Sequence, residues 1–143
     1  MATITEDYVS FEIAKLLKEK EFNEVCNRVY QDSNLKYTNF PISPLMSLGE
    51  LGGFHPRQLY VTNNELGDMV YTAPTLQMAM KWLRDIHNLD IIAPPQFDNS
   101  KWTYSAIIFK LSIPCTETRL NDNKYKKEEA CETAIKYCLE HLI

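Results

Sequence analysis

The chain has 143 residues, 45% of them hydrophobic and 24% charged, with a formal net charge of −4. That length suits one domain burying roughly two-thirds of its unfolded surface, so folding requires neither metal nor disulfide. The negative balance disfavours binding to bulk nucleic acid, which depends on counterion release by basic side chains.

Four cysteines, Cys26, Cys115, Cys131 and Cys138, include no CxxC pair and have no zinc-finger spacing. All four are expected to be small buried apolar residues in a reducing compartment. The opening MATITEDYVSFE is acidic and lacks an apolar signal core, and no run is long enough to cross a bilayer. The expectation is a cytoplasmic protein with no membrane partner.

In chain order, Thr5 is expected to cap a first helix, with Glu6 and Asp7 favourably placed at its positive end. Val9, Ile13, Leu16 and Leu17 fall on its apolar face. Glycine is the usual residue after such a helix, but Glu21 stands there, so Asn23 is expected to supply the turn. Residues 26–31 read as a strand, QDSN as a turn, and Leu35 and Tyr37 as the second strand of a hairpin. The stretch 41–67 is irregular and holds three of the seven prolines and all four glycines. Within it QLYVT is a strand candidate and NNELGD a turn; residues 69–72 form the next strand.

Pro74 and Thr75 then announce a helix, Pro74 as a breaker and Thr75 as its cap. Leu76, Ala79, Leu83 and Ile86 recur at helical spacing, with Met78 and Trp82 widening the apolar arc. An arc containing Met78, Met80 and Trp82 fits a ligand groove, but a core face is the commoner outcome of such periodicity. Asn88 is placed to end this helix in a left-handed conformation. Leu89, Ile91 and Ile92 follow as a short strand closed by Pro94 and Pro95, and QFDNSK reads as a turn. Residues 102–113, WTYSAIIFKLSI, read as one central strand because both faces are apolar in the middle. Residues 116–120 give one more strand, and Ala130, Cys131, Ala134, Ile135, Cys138 and Leu142 mark the buried side of a final helix. The predicted architecture is α+β in a single domain: an antiparallel sheet of about 4–6 short strands against helices at about 6–20, 75–88 and 126–142.

Three places suggest chemistry. Asp85, His87 and Asp90 crowd the end of the central helix, although residues two apart on a helix point away from each other. Gly52, Gly53, His55 and Arg57 form a candidate anion-binding loop, in which paired glycines let amides approach a ligand and Arg57 pairs with phosphate. Trp102 and Tyr104 have the chemistry to stack on a base, against the commoner role of cross-strand partners. No GxSxG, Walker-type loop or HExxH is present.

The blocks ITEDYVSFEIAKLLKEKEF, APTLQMAMKWLRDIHNLDI and KKEEACETAIKYCLEHLI resemble a family of small proteins encoded by phages and mobile elements of gut Bacteroides-type bacteria. The resemblance covers about half the chain and implies a phage or prophage origin; it transfers no catalytic residues. Glu21 departs from the family's usual glycine, and 41–67 does not follow its pattern. Together these readings favour a binding protein without cofactor, acting in the host cytosol. Its expected role is counter-defence, either covering a host protein or sequestering an anionic nucleotide signal as a homo-oligomer. The alternatives are a metal-dependent hydrolase or nuclease using Asp85 or Asp90, and a virion component.

Overall fold

The computed structural model describes residues 6–38 and 60–143. The candidate loop at Gly52, Gly53, His55 and Arg57 therefore lies outside the described residues, as does most of the irregular stretch.

The first helix, α1 (Phe11–Glu19), starts later than the sequence suggests. Its cap is Ser10, whose Oγ accepts from the Ile13 amide at 3.3 Å, rather than Thr5. Residues 7–9 are extended instead, because the start of the central helix takes their hydrogen bonds. The Val9 amide donates to the Pro74 carbonyl at 3.0 Å, and the Leu76 amide donates to the Asp7 carbonyl at 2.9 Å. At its other end α1 closes with the paired bonds of a Schellman turn: Phe22 amide to Leu17 carbonyl at 2.9 Å, and Glu21 amide to Lys18 carbonyl at 3.1 Å. Glu21 itself takes the left-handed conformation, φ 65°, that glycine usually supplies. Asn23 is not the turn residue; its side-chain oxygen accepts from the Asn64 amide.

Three small antiparallel sheets follow. β1 (Arg28–Gln31) and β2 (Asn34–Tyr37) form the expected hairpin, and β3 (Val70–Thr72) pairs on the other side of β1. The hairpin turns through Asp32 and Ser33, both at positive φ, the type I′ geometry that follows strand twist. Cys26 is not in the strand; it makes a single bridge to Val61, the one trace of pairing in the described part of QLYVT. Asn63, 4% exposed, ties these pieces together: its Nδ2 donates to the Phe22 carbonyl at 2.7 Å, and its Oδ1 accepts from the Thr72 amide at 2.9 Å.

The central unit forms as read. Thr75 Oγ accepts from the Met78 amide at 3.2 Å and opens α2 (Leu76–His87). Asn88, at φ 57°, ends it and turns the chain directly into β4 (Leu89–Ile92). Leu76, Ala79, Trp82 and Leu83 are buried, but Ile86 is 59% exposed. Its angle on the helix suits the apolar arc; at the last turn, however, nothing among the described residues covers it.

Residues 102–113 are not one strand. The chain changes sheets at the small buried pair Ser105 and Ala106. Before the break, β5 (Pro95–Asp98) and β6 (Lys101–Tyr104) make a separate two-stranded hairpin, so four of the six residues of QFDNSK are strand and only Asn99 and Ser100 turn. After it, β7 (Ile107–Lys110) lies between β4 and β8 (Thr116–Arg119), the central position its two apolar faces call for. The last helix, α3 (Lys127–Tyr137), continues through a wider π-type turn over Cys138–Leu142. The α+β class and the antiparallel pairing hold; the eight strands among the described residues are divided among three sheets rather than laid out as one floor.

The three helices share one core with β4 and β7. Ile13 and Leu17 of α1, Leu83 of α2, Leu89 and Ile108 of the sheet, and Ile135 of α3 are all essentially sealed from solvent. Cys26, Cys131 and Cys138 are buried as expected, and burial pushes the Cys26 thiol to about 11 and that of Cys138 to about 12. Cys115 is exposed, because it lies in the β7–β8 connection rather than on a core face. No helix among the described residues is long and apolar enough to cross a membrane.

Two substitutions test this account. Glu21→Gly relieves a left-handed side chain and is expected to raise stability by about 1 kcal/mol, read as a higher urea midpoint. Asn63→Ala leaves a buried carbonyl and a buried amide unpaired and is expected to lower stability by about 3 kcal/mol on the same measurement.

Candidate functional site

The hairpin of β5 and β6 leaves two large rings outside the core side by side, whereas Met69, Ile86 and Ile113 are exposed elsewhere in the fold. Its register opposes Pro95 to Tyr104, Gln96 to Thr103, Phe97 to Trp102, and Asp98 to Lys101. Side chains alternate between the two faces of a strand, so Pro95, Phe97, Trp102 and Tyr104 share one face. Tyr104 roots that face in the body, packing against a small cluster of Ala93, Ala130 and Cys131. Phe97 and Trp102 carry the same face outward and are 64% and 60% exposed.

The backbone explains why these two rings meet. The Tyr104 amide donates to the Lys124 carbonyl at 2.7 Å, and the Tyr104 carbonyl accepts from the Lys124 amide at 2.8 Å. Tyr104 therefore turns both groups away from β5, which leaves Pro95, having no N–H, at a position that needs none. The alternation of an antiparallel ladder makes Phe97 and Trp102 a non-hydrogen-bonded pair as well, the kind in which opposed side chains come closest. Their ring centroids are 5.1 Å apart at 52°. The turn residues Asn99 and Ser100, at φ 48° and 62°, set this register. On the opposite face Lys101 places its Nζ 5.6 Å from the centroid of the exposed Tyr125 ring. Trp102 and Tyr104 were both legible as aromatic strand residues. Phe97 was missed because Pro94 and Pro95 read as terminators; the signal was the alternation PQFD and KWTY around a two-residue turn.

Several concavities lie among the described residues, two of them along α2. A cleft of about 400 Å³ is lined by the first turns of α2 and α3, with Met80 and Cys131 in its wall. Helix N-termini attract anions, but Glu6, Asp7 and Glu128 line the same cleft and oppose one. A groove of about 250 Å³ runs along α2 between Val25, Met78 and Ile86. Of the residues read as a groove, only Met78 is exposed; Trp82 is buried, and Met80 packs against the core.

Asp85, His87 and Asp90 do not converge. Asp85 is exposed and paired with Lys81 and Arg84, and the hydrogen bond from Lys81 is the main cause of its lowered pKa. Asp90 sits in β4 opposite Phe109. His87 packs edge-on against Trp82, with centroids 4.7 Å apart. Among the described residues no three His, Cys, Asp or Glu side chains are grouped to hold a metal ion.

Comparison with models of protein families, with curated proteins and with solved structures found no match to this chain.

His87 generates a pH prediction. Its Nε2 is buried without a hydrogen-bond partner among the described residues, and burial of the ring, assisted by the charge of Lys20, lowers its pKa from the ordinary 6.5. A histidine lowered on folding contributes stability above its unfolded pKa and loses it as pH falls through the folded value. Urea midpoints of the wild type should therefore decline as pH drops below 6.5, and His87→Phe should remove that part of the slope. Equal slopes for the two proteins would refute the assignment.

Proposed function

We propose that this is a binding protein, of the phage-encoded kind its sequence resembles, that presses the Phe97–Trp102 face of its hairpin onto a host protein and covers that protein's surface. The observation carrying this reading is the paired exposure of two large rings in contact on one face of the hairpin. Covering each ring is worth about 2 kcal/mol in water, and tryptophan is prominent among residues that dominate interfaces. The hairpin keeps the rings in place by backbone register, so little side-chain freedom is lost on docking. Asp98 and Lys101 project to the opposite face of the hairpin, so the aromatic face of Pro95, Phe97, Trp102 and Tyr104 carries no charged side chain of its own. An uncharged face suits a protein surface better than an anionic nucleotide, which would call for a net positive site. Counter-defence in the host cytosol is the role in which such a cover is useful.

The experiment is affinity capture from host lysate with the wild type and with a Phe97→Ser, Trp102→Ser double variant. Both positions are exposed, so the variant should keep its fold and lose less than about 1 kcal/mol of stability. A partner held by the wild type should bind the variant at least about tenfold more weakly. Undiminished capture by a folded double variant would defeat the proposal.

A further inference from the structure

The outer edge of β5 makes a specific offer. Because Phe97 is a non-hydrogen-bonded partner of Trp102, its own N–H and C=O both point away from β6. Pro95 points the same way and has only a carbonyl to give. All four residues of β5 are exposed, and among the described residues only β6 pairs with it. An open edge of this kind is a template for another strand, and most proteins blunt theirs. Here Pro95 blunts one end and leaves Phe97 available.

We infer that the occupant of this edge is a second copy of this chain, joined antiparallel about a two-fold axis through Phe97. The inference rests on the Phe97–Trp102 face being a contact surface, which it enlarges. Register selects the arrangement. With the axis at Phe97, that residue exchanges two N–H to C=O bonds with the second copy's Phe97. Gln96 then stands opposite the second copy's Asp98, an amide donor facing a carboxylate, and symmetry repeats the pair. With the axis at Gln96, Phe97 would face the second copy's Pro95, which has no N–H to return. With the axis at Asp98, two like charges would be directly opposed, which is destabilising. Only the Phe97 register keeps both backbone bonds and a complementary charge pattern. A two-fold axis perpendicular to the sheet leaves every side chain on its original face. The product is a four-stranded sheet with Trp102 and Phe97 of each copy in one continuous aromatic row. Two patches thus become one broad face for the partner.

Charge substitution at the exposed Gln96 tests this without touching a ring. Sedimentation equilibrium of the wild type over a wide concentration range should show a monomer–dimer equilibrium. Gln96→Asp sets a like charge against the second copy's Asp98 twice and should weaken dimerisation about tenfold; Gln96→Lys should strengthen it by a similar factor. A wild type that stays monomeric throughout overturns the inference, and so does a dimer indifferent to both substitutions. Circular dichroism of each variant confirms that an altered equilibrium comes from a folded chain. At concentrations where it is monomeric, the Gln96→Asp protein keeps Phe97 and Trp102, so partner capture by it reads the contact role separately. Capture with no dimer defeats the pairing and spares that role; a dimer with no dependence of capture on Trp102 does the reverse.

Discussion

Leu83 has no accessible surface, and the elements around it are positioned by the need to keep it so. A stripe as wide as Leu76, Ala79, Trp82 and Leu83 cannot be covered by one neighbour. α1 supplies Ile13 and Leu17, α3 supplies Ala134 and Ile135, and β4 and β7 supply Leu89 and Ile108. Asn88 reverses the chain within one residue, so β4 lies beside the helix it follows. The β5–β6 hairpin leaves β4 after only Ala93 and Pro94, and its placement is inherited from that reversal. A site made of exposed rings is thus held by a core that contains neither ring.

The polar interior is economical in a different way. Asn63 meets two backbone groups with one side chain and joins the end of α1 to β3. Arg28 has its guanidinium 4.7 Å from the ring centroid of Tyr8 and 3.5 Å from that of Tyr37, and it donates to the Tyr37 hydroxyl. Planar, weakly hydrated guanidinium tolerates such ring contacts where an ammonium would hold on to water. The N-terminal segment at Tyr8 is thereby fastened to the first hairpin as well as to Pro74 and Thr75.

What could be read in the sequence followed from how local each cause is. Thr75 and Asn88 act on amides within a turn of themselves, and both did as their types suggest. Ser10 displaced Thr5 as the first cap because residues 7–9 bond to residues 74 and 76, a pairing no window of sequence contains. Ile86 has the right angle and the wrong surroundings: periodicity gives direction but not the extent of the neighbours. The break at Ser105 and Ala106 was invisible for a similar reason, since β6 and β7 are both good strands and only their partners differ. Of the candidate site residues, Trp102 and Tyr104 were recognised as a strand pair of aromatics. Phe97 needed the register before its proximity to Trp102 had any meaning. The candidate anion loop at Gly52, Gly53, His55 and Arg57 remains a matter of sequence.

The exposed Cys115 has a practical consequence. The other three thiols are buried, and those of Cys26 and Cys138 are held far from ionisation at neutral pH. Reactivity toward maleimides follows access and thiolate character. A fluorophore added to the native chain should therefore attach in the β7–β8 connection alone, giving an unmutated reporter of stoichiometry for single-particle counting.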